Sequence, residues 1–403
     1  MLSSTVFIYL QLIVTLSLTL GRKAPGTLHS RNSFYVGGEY SNTEIAFGQI
    51  YVEHLVPADV TRPLPLMFIC GRGQTGINLL NTPDGRAGWA DYFLSQGYEV
   101  YLIDQPSRGR SPWQKSVDGP QTTLNTTYIE SHFTATARYH LYPQADLHTQ
   151  WPGSGVAGDP IFDAYYFSTV PSLSSDLETS QKMRHAGVAL LERIGQPVIL
   201  MTHSQSGAFG WLLRDARPSF VRAIIALEPV GPPFINAVFP PFASLRPYGL
   251  TELPIQFSPP LMSPKDLSPQ LVNSIPNVAC YEQISPARQL VNLADVPILV
   301  VTAEASYHVL YDNCTVNFLK QAGVKVDHVE LGNLGFHGNG HMMFLEKNSD
   351  EIVDQVVHGW ILEKGLGRKI QSLPYFRYGF TIMPTRLVML LKATASFLSH
   401  QAS

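Results

Sequence analysis

The stretch Pro197-Val198-Ile199-Leu200-Met201-Thr202-His203-Ser204-Gln205-Ser206-Gly207-Ala208-Phe209 constrains the fold more than any other part of the chain. Its apolar run, Val198–Thr202, predicts a strand buried on both faces. Polar residues and Gly207 then mark a sharp turn, and Ala208–Asp215 has the spacing of a helix. A strand that turns straight into a helix belongs to a parallel, layered α/β sheet. The turn is a variant of Gly-x-Ser-x-Gly, with Thr202 and Ser206 where glycine usually stands. It exposes Ser204 as a candidate nucleophile at the sheet's C-terminal edge and turns the Gln205 backbone N–H toward the same point. Ser206 is the competing serine, one step past the bend.

Runs of the two kinds alternate along the chain. Strands are predicted at Ile45–Val56, Leu64–Cys70, Glu99–Asp104, Val198–Thr202, Ala223–Leu227, Ile298–Thr302 and Lys325–Leu331. Helices are predicted at Gly88–Gln96, Ser174–Ile194, Ala208–Asp215, Asn313–Ala322 and Ser349–Leu362. The pattern implies a mainly parallel sheet flanked by helices. Residues 112–173 and 229–294 break the rhythm with prolines, glycines and aromatics. Each follows a strand's C-terminal end, where open α/β sheets hold ligands, so both read as cap or lid insertions. As floppy surface loops they would expose Trp113, Trp151, Tyr165, Tyr166, Phe167 and Phe234. The main domain is then 22–370. Residues 371–403 read as a helical tail, to which no chemistry is assigned.

Composition narrows the class. With 403 residues, 45% hydrophobic, the chain can bury a large core. A net charge of −3 without basic runs excludes a nucleic-acid binder. The first twenty residues carry no charge and precede Gly21-Arg22-Lys23, which reads as a secretory signal at 1–21. Because the positive residues lie on the far side, an uncleaved anchor is the alternative; after cleavage no membrane span is expected. The sequons Asn125-Thr126-Thr127 and Asn313-Cys314-Thr315 offer glycosylation sites at Asn125 and Asn313 in such a compartment. Among the three cysteines, a Cys280–Cys314 bridge would suit oxidising surroundings and leave Cys70 free, although spacing alone does not determine the pairing.

Three further segments supply candidate chemistry. Leu66–Gly76 follows the third strand, where the residue after a glycine donates a second backbone N–H to a tetrahedral oxyanion; by position this is Arg72, between Gly71 and Gly73. Cys70 beside it reads as a small packing residue. Asp104–Ser111 is a turn that braces loops near the site. His341, in Gly340-His341-Met342-Met343-Phe344-Leu345-Glu346, is the candidate general base, with His337 as its rival. His203 is expected to point away from the pocket. The acid position after the strand Ile298–Thr302 holds Ser306, with Glu304 too early. Glu228, one strand earlier, is the preferred acid and Glu304 the second.

Thr82–Trp89, Asp104–Ser111, His203–Gly207, Glu228-Pro229 and His337–Met343 together resemble a small, atypical group of secreted bacterial and fungal α/β-hydrolase esterases. The likeness spans roughly residues 45–362. It implies the α/β-hydrolase fold, a Ser204–His341–Glu228 triad, and hydrolysis of small-molecule carboxylic esters or lactones with neither metal nor organic cofactor. Some bacterial members carry adjacent cysteines in the oxyanion loop where this chain has Arg72-Gly73, so their disulfide there is absent. The aromatic caps point to an apolar substrate of moderate size. Two other readings stay open: an acyltransferase or cyclase using the same three residues, and a non-catalytic binding protein on a hydrolase scaffold.

Overall fold

The computed structural model describes residues 26–368. The predicted signal (1–21) and the tail at 371–403 lie outside the described residues. Eight strands form one sheet: β1 (His29–Val36), β2 (Ile50–Pro57), β3 (Leu66–Ile69), β4 (Val100–Asp104), β5 (Val198–His203), β6 (Val221–Leu227), β7 (Ile298–Thr302) and β8 (Val326–Glu330). Their spatial order is β1-β2-β4-β3-β5-β6-β7-β8. The β1–β2 and β2–β4 pairs are antiparallel and the rest are parallel. Every residue of β3, β4, β5 and β7 is buried, which is why these strands read as unbroken apolar runs.

Alternate strand residues feed two cores. Phe68, Leu102, Ile199, Met201, Ile225 and Val301 face α1 (Trp89–Ser95) and the C-terminal helical run. Met67, Ile103, Leu200, Ile224 and Val300 face α2 (Asp176–Ile194), α3 (Gly207–Ala216) and α4 (Asp312–Gln321). The period-2 alternation of strand side chains thus divides one sheet between two helical layers. The expected helix at Ser349–Leu362 comprises Ser349–Glu351, Ile352–His358 in the wider π winding, and Gly359–Glu363. The expected strand at Ile45–Val56 breaks at Gly48, where φ is +74°, and begins at Ile50.

The two insertions contain more structure than their sequences signal. The first carries short helical pieces, among them Thr126–Ile129, Glu130–Thr134, Thr136–Tyr139 and Pro160–Tyr166. Pieces of one or two turns are too short to display a helical period. Trp151, Tyr165 and Phe234 are buried as expected, but Trp113 and Phe167 are 37% and 79% exposed. Trp113 instead lends its indole N–H to the Gly119 carbonyl in a surface turn, and Phe167 follows the last residue of a short helix. The second insertion holds an antiparallel ribbon, Pro269–Ile275 with Val278–Gln283. Cys280 on this ribbon is disulfide-bonded to Cys314 of α4. Closing the 34-residue separation limits the unfolded chain, so Cys280→Ala/Cys314→Ala is expected to lose about 3 to 4 kcal/mol in denaturant unfolding. Among the described residues, no helix is long and apolar enough to cross a membrane.

Candidate active site

Ser204 stands between β5 and α3 with φ of +57°, the left-handed conformation that a tight strand-to-helix turn imposes. Its neighbours Gln205 and Ser206 are buried, whereas Ser204 itself is only half-buried and lines a cavity. Ser206 Oγ lies 2.6 Å from the Ile69 carbonyl and accepts the His203 N–H at 2.8 Å. The rival serine is therefore fully buried and occupied by backbone. Gly207 explains why the motif keeps a glycine after Ser206: a Cβ there would come within 2.5 Å of Pro229, which directly follows Glu228. On the other side, a Cβ on Gly71 would sit 2.8 Å from the Ser204 Cβ, so glycine lets the loop after β3 close against the serine.

His341 and Glu228 meet although 113 residues separate them: Nδ1 lies 2.5 Å from Glu228 Oε2, with side chains 1% and 0% exposed. Glu228 follows β6 with φ of +44°, a second left-handed residue at the same sheet edge. Its Oε1 accepts the Ala303 N–H at 2.8 Å, and its Oε2 accepts the Ser306 hydroxyl at 2.7 Å. Ser306, which occupies the usual acid position after β7, thus binds the carboxylate arriving from the adjacent strand. Glu304 turns elsewhere and accepts from His337 Nδ1 at 2.9 Å and the Gly338 N–H at 2.8 Å. The two rival residues pair with each other, away from Glu228 and His341.

The loop carrying His341 is braced by buried Glu346, which accepts the Gly340 N–H at 3.0 Å, the Asn339 amide at 2.8 Å and His148 Nε2 at 2.7 Å. The Glu346 end of the motif is therefore a loop anchor, and His148 ties the first insertion to it. His203 corrects the sequence expectation: it lines the cavity, with its Nε2 at 3.0 Å from the His341 carbonyl and the two rings 4.5 Å apart. Its Nδ1 lies 3.2 Å from Gln74 Oε1, so contacts to the loop after β3 and to the His341 loop hold the ring at the cavity.

His308 was not expected at the site. Its ring stacks on His341 at 4.8 Å and 9°, with Nδ1 at 2.9 Å from Asp312 and Nε2 at 3.0 Å from the Tyr311 hydroxyl. Glu228, His308 and His341 each place a ligand-type atom within 4.8 Å of the others. Near-parallel stacked rings direct their nitrogen lone pairs in parallel planes, and both His308 nitrogens already have partners, so this cluster does not suit one shared metal ion.

Burial holds the His341 imidazole well below its usual range, and His308 and His132 push the same way. Burial raises the Glu228 carboxyl, against His308, the Ala303 N–H and the Ser306 hydroxyl, which favour the carboxylate. A depressed imidazole remains neutral as pH falls through 6.5 and protonates only below it. If His341 acts as the base, the acid limb of kcat/KM lies below pH 6.5, a position a pH–rate profile checks.

The cavity encloses about 400 Å³. It is lined by Ser204, Gln205, Gly71 and Arg72, by Tyr128 and Phe133 from the first insertion and by Phe239 from the second. The Arg72 guanidinium is held by Asp176 at 2.5 Å, and its backbone N–H has no acceptor among the described residues. Gln205 binds the same carboxylate through its amide at 2.7 Å. Cys70 is buried, with its thiol pushed up to about 12 by burial first and by Asp104 second, in keeping with a packing role. Asn125 and Asn313, the sequon asparagines, are both exposed.

The eight-stranded order, the serine turn and the histidine loop after β8 define a hydrolase class, and the chain belongs to the alpha/beta hydrolase family, whose model matches residues 68–355. It is 48% identical over 331 residues to the probable secreted lipase phiG of Fungal sp. (strain ATCC 74256), covering 81% of this chain and 88% of that protein. It is also similar to a solved bacterial esterase, described as novel, at 22% identity and a TM-score of 0.56, covering 84% of this chain and 97% of the other. The second likeness shows the shared fold.

Proposed function

We propose that this chain is a secreted serine carboxylic-ester hydrolase acting on compact, apolar esters or lactones through an acyl-enzyme. One observation carries the reading: half-buried Ser204, in a left-handed turn, opens into the same cavity as His341, whose Nδ1 lies 2.5 Å from buried Glu228. In this reading Ser204 attacks the carbonyl while His341 takes its proton. Glu228 holds the imidazole tautomer and stabilises the imidazolium. The backbone N–H groups of Gln205 and Arg72 receive the oxyanion, and water releases the acyl group after His341 returns the proton. The three aromatics from the insertions and about 400 Å³ suit a small apolar ester. The relative's name, a probable secreted lipase, supports both ester chemistry and secretion; the uncharged first twenty residues and the Cys280–Cys314 bridge support secretion.

The test combines turnover of p-nitrophenyl esters of increasing acyl length with fluorophosphonate labelling mapped by mass spectrometry. Labelling of the Ser204 peptide with turnover of short esters is expected. An enzyme that neither turns over these esters nor takes the label at Ser204 would contradict the proposal.

A further inference from the structure

Arg108, in the turn after β4, is buried to 2% exposure and takes no part in the reaction scheme above. Its Nη1 donates to the Gly71 carbonyl at 2.7 Å and its Nη2 to Gln205 Oε1 at 2.9 Å. No carboxylate pairs with it among the described residues. Asp104 is engaged by Arg110 at 2.8 Å and by the Gly76 N–H at 3.0 Å, while Asp176 is engaged by Arg72 and the Gln205 amide. An unpaired buried cation is costly, so a fold that keeps one invites a reason. Burial and the neighbouring Arg72 lower Arg108 to about 9, which leaves it charged at neutral pH.

We propose that Arg108 is a positioning residue of the oxyanion site, its guanidinium polarising the Gly71–Arg72 peptide from behind. The inference rests on the reading of Ser204 as nucleophile and of the Arg72 N–H as oxyanion donor. Gly71 O and Arg72 N–H are opposite ends of one amide. A cation on the carbonyl draws electron density along the resonant bond and makes the N–H a stronger donor. Gly71 O also accepts the Gln74 N–H at 3.3 Å, a neutral bond that closes the turn. The Gln205 side chain carries the same cation to the other donor residue, where it fixes the orientation of the turn. A neutral ester carbonyl gains little from a stronger donor, whereas the negatively charged tetrahedral intermediate gains much. The effect therefore belongs in kcat and not in KM.

The test uses the full chain and counts competent sites by the end point of fluorophosphonate labelling, so that turnover is expressed per labelled site. Arg108→Met is expected to lower per-site kcat for p-nitrophenyl acetate by about 30-fold, with KM within about twofold. The Ki of phenylboronic acid, which forms a tetrahedral serine adduct, should rise by about the same factor. Arg108→Lys, which keeps the charge, should recover about half the loss on a logarithmic scale. If Arg108→Met yields no labelled site, Arg108→Gln, a neutral donor, carries the same expectation. Per-site kcat within about threefold of wild type in the neutral variant, a loss confined to KM, or no recovery in Arg108→Lys would overturn the assignment. A wild type that is neither active nor labelled overturns the ester-hydrolase reading itself, and this one with it.

Discussion

The double variant Ser204→Ala/His341→Ala is expected to turn over p-nitrophenyl esters no more slowly than Ser204→Ala alone, each about a millionfold below wild type in kcat. The serine hydroxyl is a poor nucleophile until an imidazole takes its proton, and the imidazole has nothing to activate once the hydroxyl is gone. Removing either therefore removes the whole step, and the two losses do not add. A residual rate of about a thousandfold over water would remain from the backbone donors at Gln205 and Arg72. Stopped assays with purified variants check this. A double variant a further hundredfold below the single one would mean that His341 serves another nucleophile. Ser204→Ala should stay folded, because Ser204 makes no side-chain hydrogen bond among those of the described residues, whereas His341→Ala takes a partner from buried Glu228, so circular dichroism must show the double variant folded before its rate is compared.

The second expectation concerns the proposed acid. Glu228→Gln should lower kcat by about ten thousandfold with little change in volume. The carboxylate accepts from three directions: the Ala303 N–H, the Ser306 hydroxyl and His341 Nδ1. An amide has only one acceptor oxygen. Its NH2 must face either the Ala303 N–H, donor against donor, or the imidazole, whose proton then shifts to Nε2. In that tautomer Nε2, the nitrogen proposed to take the serine proton, is already protonated and cannot serve as base. Glu304→Gln is the matched control. Its partners are His337 and Gly338, so turnover within about threefold of wild type is expected. Equal losses in the two variants would place the acid function elsewhere.

The sheet was readable where burial on both faces wrote it into the chain. β3, β4, β5 and β7 are wholly buried, β6 has only Arg222 exposed, and the predicted bounds of the five differ from the observed ones by at most two residues. β1 was missed because it is an exposed antiparallel edge, and of His29–Val36 only Phe34 and Val36, at its end, pack against the core. The ribbon in the second insertion was missed for the same reason, its first strand Pro269–Ile275 being exposed throughout. Ser306 and the departures at Thr202 and Ser206 were visible as residues, but their partners were not. Nothing near Arg108 or His308 in sequence names Gly71 or His341 as a neighbour.

By itself the sequence determined the layered α/β class, the turn that carries Ser204, and the short set of residues from which a base and an acid could come. Those are local matters of hydrophobic period, glycine placement and motif spacing. Tertiary structure set the neighbours of each rival. Glu228 and Glu304 follow neighbouring parallel strands, and a left-handed backbone at Glu228 accompanies the side chain's reach to Ser306 and His341, while Glu304 joins His337. Such choices depend on how loops from three distant segments share one sheet edge, and contacts made across 113 residues have no signature in residue order.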